Sequence, residues 1–137
     1  MRELSPKLAQ QVGKLINRAI QARVEGTGRP FLIGHFITNR CHCKCASCRW
    51  RHNDWEDVPT EELKRFYSEA AEEGFLGAAF SGGEPLMKRD IGELIRFIKE
   101  EANFAIMFFT SGYYLEGHIG DVIPYVDMLI FSIDSAM

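Results

Sequence analysis

No stretch of this chain approaches the roughly 20 consecutive apolar residues that a membrane-spanning helix needs. No run of lysine and arginine stands out either, and the formal net charge over 137 residues is −3. That balance leaves no electrostatic footprint for nucleic acid. Internal repeats, low-complexity segments and a secretory signal are not seen, and a cytoplasmic protein is expected. Cysteine is the most unevenly missing residue. It is absent from residues 1–40 and 49–137, so all four copies fall in Cys41-His42-Cys43-Lys44-Cys45-Ala46-Ser47-Cys48. A disulfide framework does not suit a core-rich chain of this size without a secretory signal.

What is present is ordinary for a globular domain: 46% hydrophobic and 26% charged residues, enough for one domain with a real core. The cysteine run is not ordinary. Thiolates this dense are metal ligands, because sulfur binds iron, zinc and copper strongly. Two spacings can be read. Cys41-x3-Cys45-x2-Cys48 supplies three thiolates and leaves Cys43 over. Three thiolates on a tight loop can hold three corners of an iron–sulfur cubane and leave the fourth iron open to a small molecule. The alternative uses all four sulfurs, with His35, His42 or His52 at hand, as a structural zinc site. Zinc sites usually pair two short knuckles from separate places, and here one knuckle has no second.

Ser5-Pro6 opens an amphipathic segment. Leu8, Val12, Leu15, Ile16, Ala19, Ile20 and Val24 recur at helical spacing until Gly26 and Gly28 stop it. It reads as a packing helix against the main domain or a partner. The apolar run 31–38 suits a strand buried on both faces, and the cysteine loop follows its C-terminal end. Thr60 is placed to cap a helix whose stripe is Leu63, Phe66, Tyr67, Ala70 and Ala71, with Gly74 as its C-terminal stop. A strand over 75–80 runs into Ser81-Gly82-Gly83-Glu84-Pro85. Asp90 is placed to cap a helix with the inner face Ile91, Leu94, Ile95 and Ile98. A strand over 104–110, a looser helical stretch over 115–124 and a strand over 128–133 complete the pattern. Alternation with short links implies an α/β fold with parallel strands, the loops after their C-terminal ends being where ligands collect.

These motifs, in this order, resemble the radical S-adenosylmethionine (SAM) superfamily over about residues 31–137. Cys41-x3-Cys45-x2-Cys48 follows the first strand behind Ile37-Thr38-Asn39-Arg40. Ser81-Gly82-Gly83-Glu84-Pro85 follows the second and matches a Gly-Gly-Glu-Pro motif. Thr110-Ser111-Gly112 and Ser132-Ile133-Asp134 end the third and fourth.

The resemblance implies βα units forming the first four strands of a partial TIM-type barrel. Residues 1–30 are then an N-terminal helical extension and 31–137 the N-terminal portion of an incomplete core domain. It implies Cys41, Cys45 and Cys48 as ligands of a [4Fe-4S] cluster. Gly82, Gly83 and Glu84 would bind the SAM ammonium, and Ser132 and Asp134 would lie near its carboxylate or ribose. Thr110 and Ser111 are weaker candidates of the same kind. Electron transfer into the sulfonium would release a 5′-deoxyadenosyl radical that abstracts hydrogen from a substrate. Because the cofactors carry that chemistry, no side chain is assigned a catalytic role. A one-electron reductant of the flavodoxin or ferredoxin type is implied, and the substrate leans toward cofactor biosynthesis or peptide maturation. A non-catalytic zinc- or iron–sulfur-binding α/β module is the alternative.

Three departures from the family pattern stand out. Ser47 occupies the place of a bulky residue before the last cysteine, which leaves adenine packing to another group such as Trp50. Cys43 is an extra thiol, read as a bystander. The sequence stops after the fourth strand of a core expected to need about six βα units. A fragment is therefore expected, or a second chain that completes the barrel.

Overall fold

The computed structural model describes residues 6–26 and 30–133. The expected contributions of Ser5, Gly28 and Asp134 lie outside the described residues. Four parallel strands, β1 (Leu32–Thr38), β2 (Gly77–Gly82), β3 (Ala105–Thr110) and β4 (Met128–Phe131), form one sheet in the order β1-β2-β3-β4. Helix α2 (Thr60–Glu72) links β1 to β2, and α3 (Ile91–Glu100) links β2 to β3. The expected α/β alternation is present.

The core lies between the sheet and these two helices. Leu63, Tyr67 and Ala70 of α2 and Ile91, Leu94, Ile95 and Ile98 of α3 pack on Ile37, Ala78, Phe80, Ile106 and Phe108. The last four are alternate residues of β2 and β3, as period-2 side-chain placement requires. Each large aliphatic side chain fully buried there is worth about 1.5–3 kcal/mol. The other face of the sheet carries no helix among the described residues, and Leu32, Phe36 and Met128 on it are exposed. The expectation that β1 is buried on both faces is therefore incorrect. An apolar run reports what a strand could bury, whereas its neighbours decide what is covered.

Several helix ends also differ from expectation. The N-cap of α2 is Pro59, and Thr60 is the first helical residue. Its buried Oγ1 has no hydrogen-bond partner among the described residues. Asp90 stands at the N-cap of α3 but makes no side-chain cap; its carboxylate pairs with buried Lys88 at 2.9 Å. The C-terminus of α2 behaves as expected. Gly74 has φ +87, the Gly74 amide donates to the Ala71 carbonyl and the Phe75 amide to that of Ala70. This paired arrangement satisfies two orphan carbonyls.

The helical stretch between β3 and β4 is two short 3₁₀ turns, Leu115–His118 and Ile123–Tyr125, rather than an α-helix. Gly117, Gly120 and Pro124 explain why a longer helix does not form. Helix α1 (Pro6–Glu25) has the predicted extent, but Ile16, Ile20 and Val24 on its apolar stripe are exposed. Its Arg18 guanidinium donates to the Gly74 carbonyl. Ile16, Ile20 and Val24 therefore do not pack on the described part of the main domain, and packing on a partner is left as the other expectation.

Candidate functional site

Parallel strands bring their C-terminal ends to one edge of the sheet, and three of the four loops leaving that edge converge on the cysteines. The register of β1 against β2 slips between Phe36 and Thr38, so Thr38 lies opposite Gly82. The Gly83 amide donates to the Thr38 carbonyl at 2.9 Å, and the Glu84 amide to the Arg40 carbonyl at 2.7 Å. The approach to the cysteines is thereby stitched to the turn after β2. Gly82 has φ +120, a conformation side chains disfavour. At Gly83 the constraint is contact: a Cβ there would fall 2.1 Å from the Arg40 carbonyl oxygen. The resemblance implies that the two glycines bind the SAM ammonium. Their immediate necessity is the cysteine loop itself.

The base of that loop is held from its other side by Asp57, which the sequence reading did not single out. Its carboxylate accepts from the Thr38 hydroxyl at 2.8 and 3.0 Å and from the Asn39 amide at 3.3 Å. Arg40 Nε stands 3.7 Å away. Trp50 Nε1 donates to the Thr38 carbonyl at 3.0 Å, and the indole packs on Phe36 with ring centroids 4.7 Å apart. Asp57 lies 19 residues from Thr38, too far for periodicity or spacing to link them.

Glu84 is 2% exposed and has its carboxylate filled. Oε1 accepts from the Thr110 hydroxyl at 2.7 Å and the Leu86 amide at 3.3 Å. Oε2 accepts from the Ser111 hydroxyl at 2.6 Å and the Ser111 amide at 2.9 Å. Glu84 thus ties the end of β3 to the turn after β2. Thr110 and Ser111, weaker candidates from sequence, are its direct partners. The Ser132 amide donates to the Thr110 carbonyl at 2.9 Å, which brings the end of β4 alongside.

These elements bound one cleft. Its walls include Cys41, Cys43, Cys45 and Cys48 on one side and Ser81, Gly82, Gly83 and Glu84 on the other. Trp50, Thr110, Ser111 and Ser132 also line it. Every sequence-predicted site residue within the described portion is there. All four cysteines are free thiols, Cys45 and Cys48 exposed and joined by a turn in which the Cys48 amide donates to the Cys45 carbonyl at 3.3 Å. The tightest ligand group among the described residues is nevertheless Cys41, His42 and Cys43, whose ligand atoms lie within 4.8 Å of one another. Burial, then the neighbouring Cys41 and Cys45, push the Cys43 thiol above its ordinary range. Of the histidines considered, His42 sits among the thiols. His35 instead shares a 2.7 Å hydrogen bond with Tyr67 on the helix-covered face.

The profile of the Radical SAM superfamily matches residues 36–136. Among curated proteins, the chain is 35% identical over 74 residues to Fe-coproporphyrin III synthase of Methanosarcina barkeri, covering 52% of this chain and 18% of that protein. It is 34% identical over 79 residues to PqqA peptide cyclase of Bradyrhizobium diazoefficiens, covering 56% and 21%. It is 31% identical over 115 residues to AdoMet-dependent heme synthase of Methanosarcina barkeri, covering 80% and 33%. The chain therefore spans between 18% and 33% of the length of these relatives.

A crystal structure of Streptococcus suis SuiB bound to S-adenosylmethionine superposes with a TM-score of 0.57 at 19% identity, covering 82% of this chain and 27% of that one. At that identity the likeness concerns the fold, and it agrees with the opening strands of a partial TIM-type barrel. The chain belongs to the radical SAM superfamily. Its cofactors are accordingly a [4Fe-4S] cluster and S-adenosylmethionine. The donor set fits them, since four free thiols face the backbone and hydroxyl groups of three strand ends across one cleft. Among the described residues no helix is long and apolar enough to cross a membrane.

Proposed function

We propose that this member of the radical SAM superfamily holds its cluster through Cys41, Cys45 and Cys48 and binds S-adenosylmethionine against the turn of Gly82, Gly83 and Glu84. Residues 31–137 are read as the N-terminal part of the core domain and 1–30 as an extension before it. When bound, the two cofactors would supply the reductive cleavage of the sulfonium and the radical hydrogen-atom abstraction from a substrate. The chain's own residues do the holding. Glu84, fixed by Thr110 and Ser111, keeps the β2 turn facing the thiols. Asp57 and Trp50 fix the base of the cysteine loop. Trp50 stands on the cleft wall and offers the aromatic surface that Ser47 does not. Ser132, which lines the cleft, is read as a further contact to S-adenosylmethionine, and Asp134, which lies outside the described residues, is assigned the same role from its place in the sequence alone.

The observation that carries this reading is the single cleft shared by all four thiols and three strand ends. We read the whole protein as a cytoplasmic enzyme, and relatives named Fe-coproporphyrin III synthase and PqqA peptide cyclase lean its reaction toward cofactor biosynthesis or peptide maturation. Its reductant is of the flavodoxin or ferredoxin type. Residues 40–52 contain Arg40, Lys44, Arg49 and Arg51 and no acidic residue, in a chain whose net charge is −3. Arg40, Lys44 and Arg49 are exposed on this stretch, and basic side chains close in sequence to the cysteines suit an acidic electron donor.

The test is anaerobic reconstitution of the complete gene product with iron and sulfide. About four irons per chain are expected, with 5′-deoxyadenosine formed on reduction in the presence of S-adenosylmethionine. Loss of the cluster is expected in Cys41→Ala, Cys45→Ala and Cys48→Ala alike. A cluster that survives Cys45→Ala but not Cys43→Ala would overturn the ligand assignment.

A further inference from the structure

Two metal-ligating side chains of the cysteine loop, His42 and Cys43, stand outside the proposed cluster set. Their placement is specific. The Cys41 and Cys43 sulfurs and a ring nitrogen of His42 lie within 4.8 Å of one another, and His42 Nε2 is 3.3 Å from Cys43 Sγ. Around a tetrahedral zinc ion, with Zn–S about 2.3 Å and Zn–N about 2.0–2.1 Å, the sulfur-to-nitrogen edge is about 3.5 Å. The observed separation is close to that edge. The imidazole is held there by rings: Tyr113 at 4.7 Å between centroids and Tyr114, edge-on, at 5.0 Å. Its buried Nδ1 has no hydrogen-bond partner among the described residues. Nε2 meets the Cys43 sulfur and, among the described residues, no oxygen acceptor takes either ring nitrogen, so a lone pair on one of them is available to a metal.

We propose that Cys41, His42 and Cys43 form a three-ligand site for one borderline divalent cation of the zinc class, its fourth position filled by water. Two thiolates and an imidazole are the donors such ions prefer, and hard cations such as Mg²⁺ are poorly served by them. The site and the cluster exclude each other because both need Cys41. A chain loaded with the single ion cannot assemble the cube until that ion leaves. This exclusion rests on the cluster assignment proposed above, whereas the single-ion site does not.

Anaerobic titration of cluster-free protein with Co²⁺, a visible-absorbing stand-in for Zn²⁺, tests the site. Intense tetrahedral bands saturating at one equivalent are expected. They should be retained in Cys45→Ala and Cys48→Ala and lost at one equivalent in both His42→Ala and Cys43→Ala. Bands that require Cys45 and Cys48 while ignoring His42, or no tetrahedral spectrum at all, would overturn the site. Circular dichroism of each variant separates ligand loss from unfolding.

Exclusion is tested by iron uptake. Zinc-loaded wild type should fail to take up iron and sulfide until the zinc is chelated, while Cys43→Ala treated with zinc should take them up. Equal uptake by zinc-loaded and metal-free wild type would overturn the exclusion. Failure of the cluster assignment itself would show separately, as an iron-loaded cube persisting in Cys45→Ala.

Discussion

Replacing Gly83 by alanine adds one methyl group where the structure has no room for it. The new Cβ would lie 2.1 Å from the Arg40 carbonyl oxygen, 2.7 Å from its carbon and 3.1 Å from the Asn39 carbonyl carbon. All three are backbone atoms, so no side chain can swing aside. Comfortable contact begins at about 3.5 Å, so the cysteine loop and the β2 turn must part by more than an ångström. That opening breaks the Glu84–Arg40 and Gly83–Thr38 backbone hydrogen bonds, at 2.7 and 2.9 Å. Two such bonds contribute about 0.5–1.5 kcal/mol each, and overpacking costs about 1–3 kcal/mol.

The reduced backbone entropy of the unfolded alanine chain returns about 0.4–1 kcal/mol. The net expectation is a loss on the order of 1–5 kcal/mol, a large part of a domain's typical stability of about 5–15 kcal/mol. Urea denaturation of the metal-free, reduced protein measures it, and the rate of cysteine labelling reports the opened loop. Gly34→Ala is the control, because a Cβ there meets nothing within 4 Å. Stability of Gly83→Ala within about 0.5 kcal/mol of the parent, with unchanged labelling, would refute the steric argument, since ordinary surface substitutions stay within that range.

Three further outcomes follow from the same geometry. Glu84→Gln substitutes an amide nitrogen for one of two oxygens that accept from Thr110, Leu86 and Ser111. The resulting donor–donor conflict should cost about 1–3 kcal/mol in urea denaturation, and a loss below the error of the measurement would contradict the assigned network. Asp57→Ala removes the acceptor of the Thr38 hydroxyl and the Asn39 amide. Faster labelling of Cys41 and Cys43, with little change in the far-ultraviolet spectrum, is expected, and unchanged labelling would remove Asp57 from the loop's support.

Burial first, and the Lys88 cation second, push the His35 imidazole below its ordinary 6.5. Below pH 6.5 the unfolded chain therefore binds more protons than the folded one, and stability falls as pH drops through that value toward the lowered folded-state pKa. Above about 6.5 this contribution is complete and flat. A urea-midpoint pH profile should show the slope in the parent and lose it in His35→Gln, and an identical slope in both would assign it elsewhere.

The β/α alternation, the inner face of α3 and the glycine stop of α2 were legible because each is a local pattern with a fixed period or φ requirement. The cysteines and the Gly82-Gly83-Glu84 turn were legible as chemistry. Cap chemistry was not: Asp90 stands at the N-cap of α3 as expected but its carboxylate goes to Lys88, and Pro59 rather than Thr60 takes the N-cap of α2. Burial of β1 was also overstated, since alternation cannot say whether a second layer covers the strand.

Sequence alone determined that thiols crowd one loop and that polar turns follow the apolar strands. Tertiary structure decided how those pieces meet. Asp57 grips Thr38 across 19 residues, and Glu84 reaches Thr110 and Ser111 across 26 and 27. It also decided that His42 and Cys43 sit closest to Cys41. Such pairings have no period, because parallel strands joined through helices bring together residues whose spacing along the chain is set by linker length rather than by any repeat.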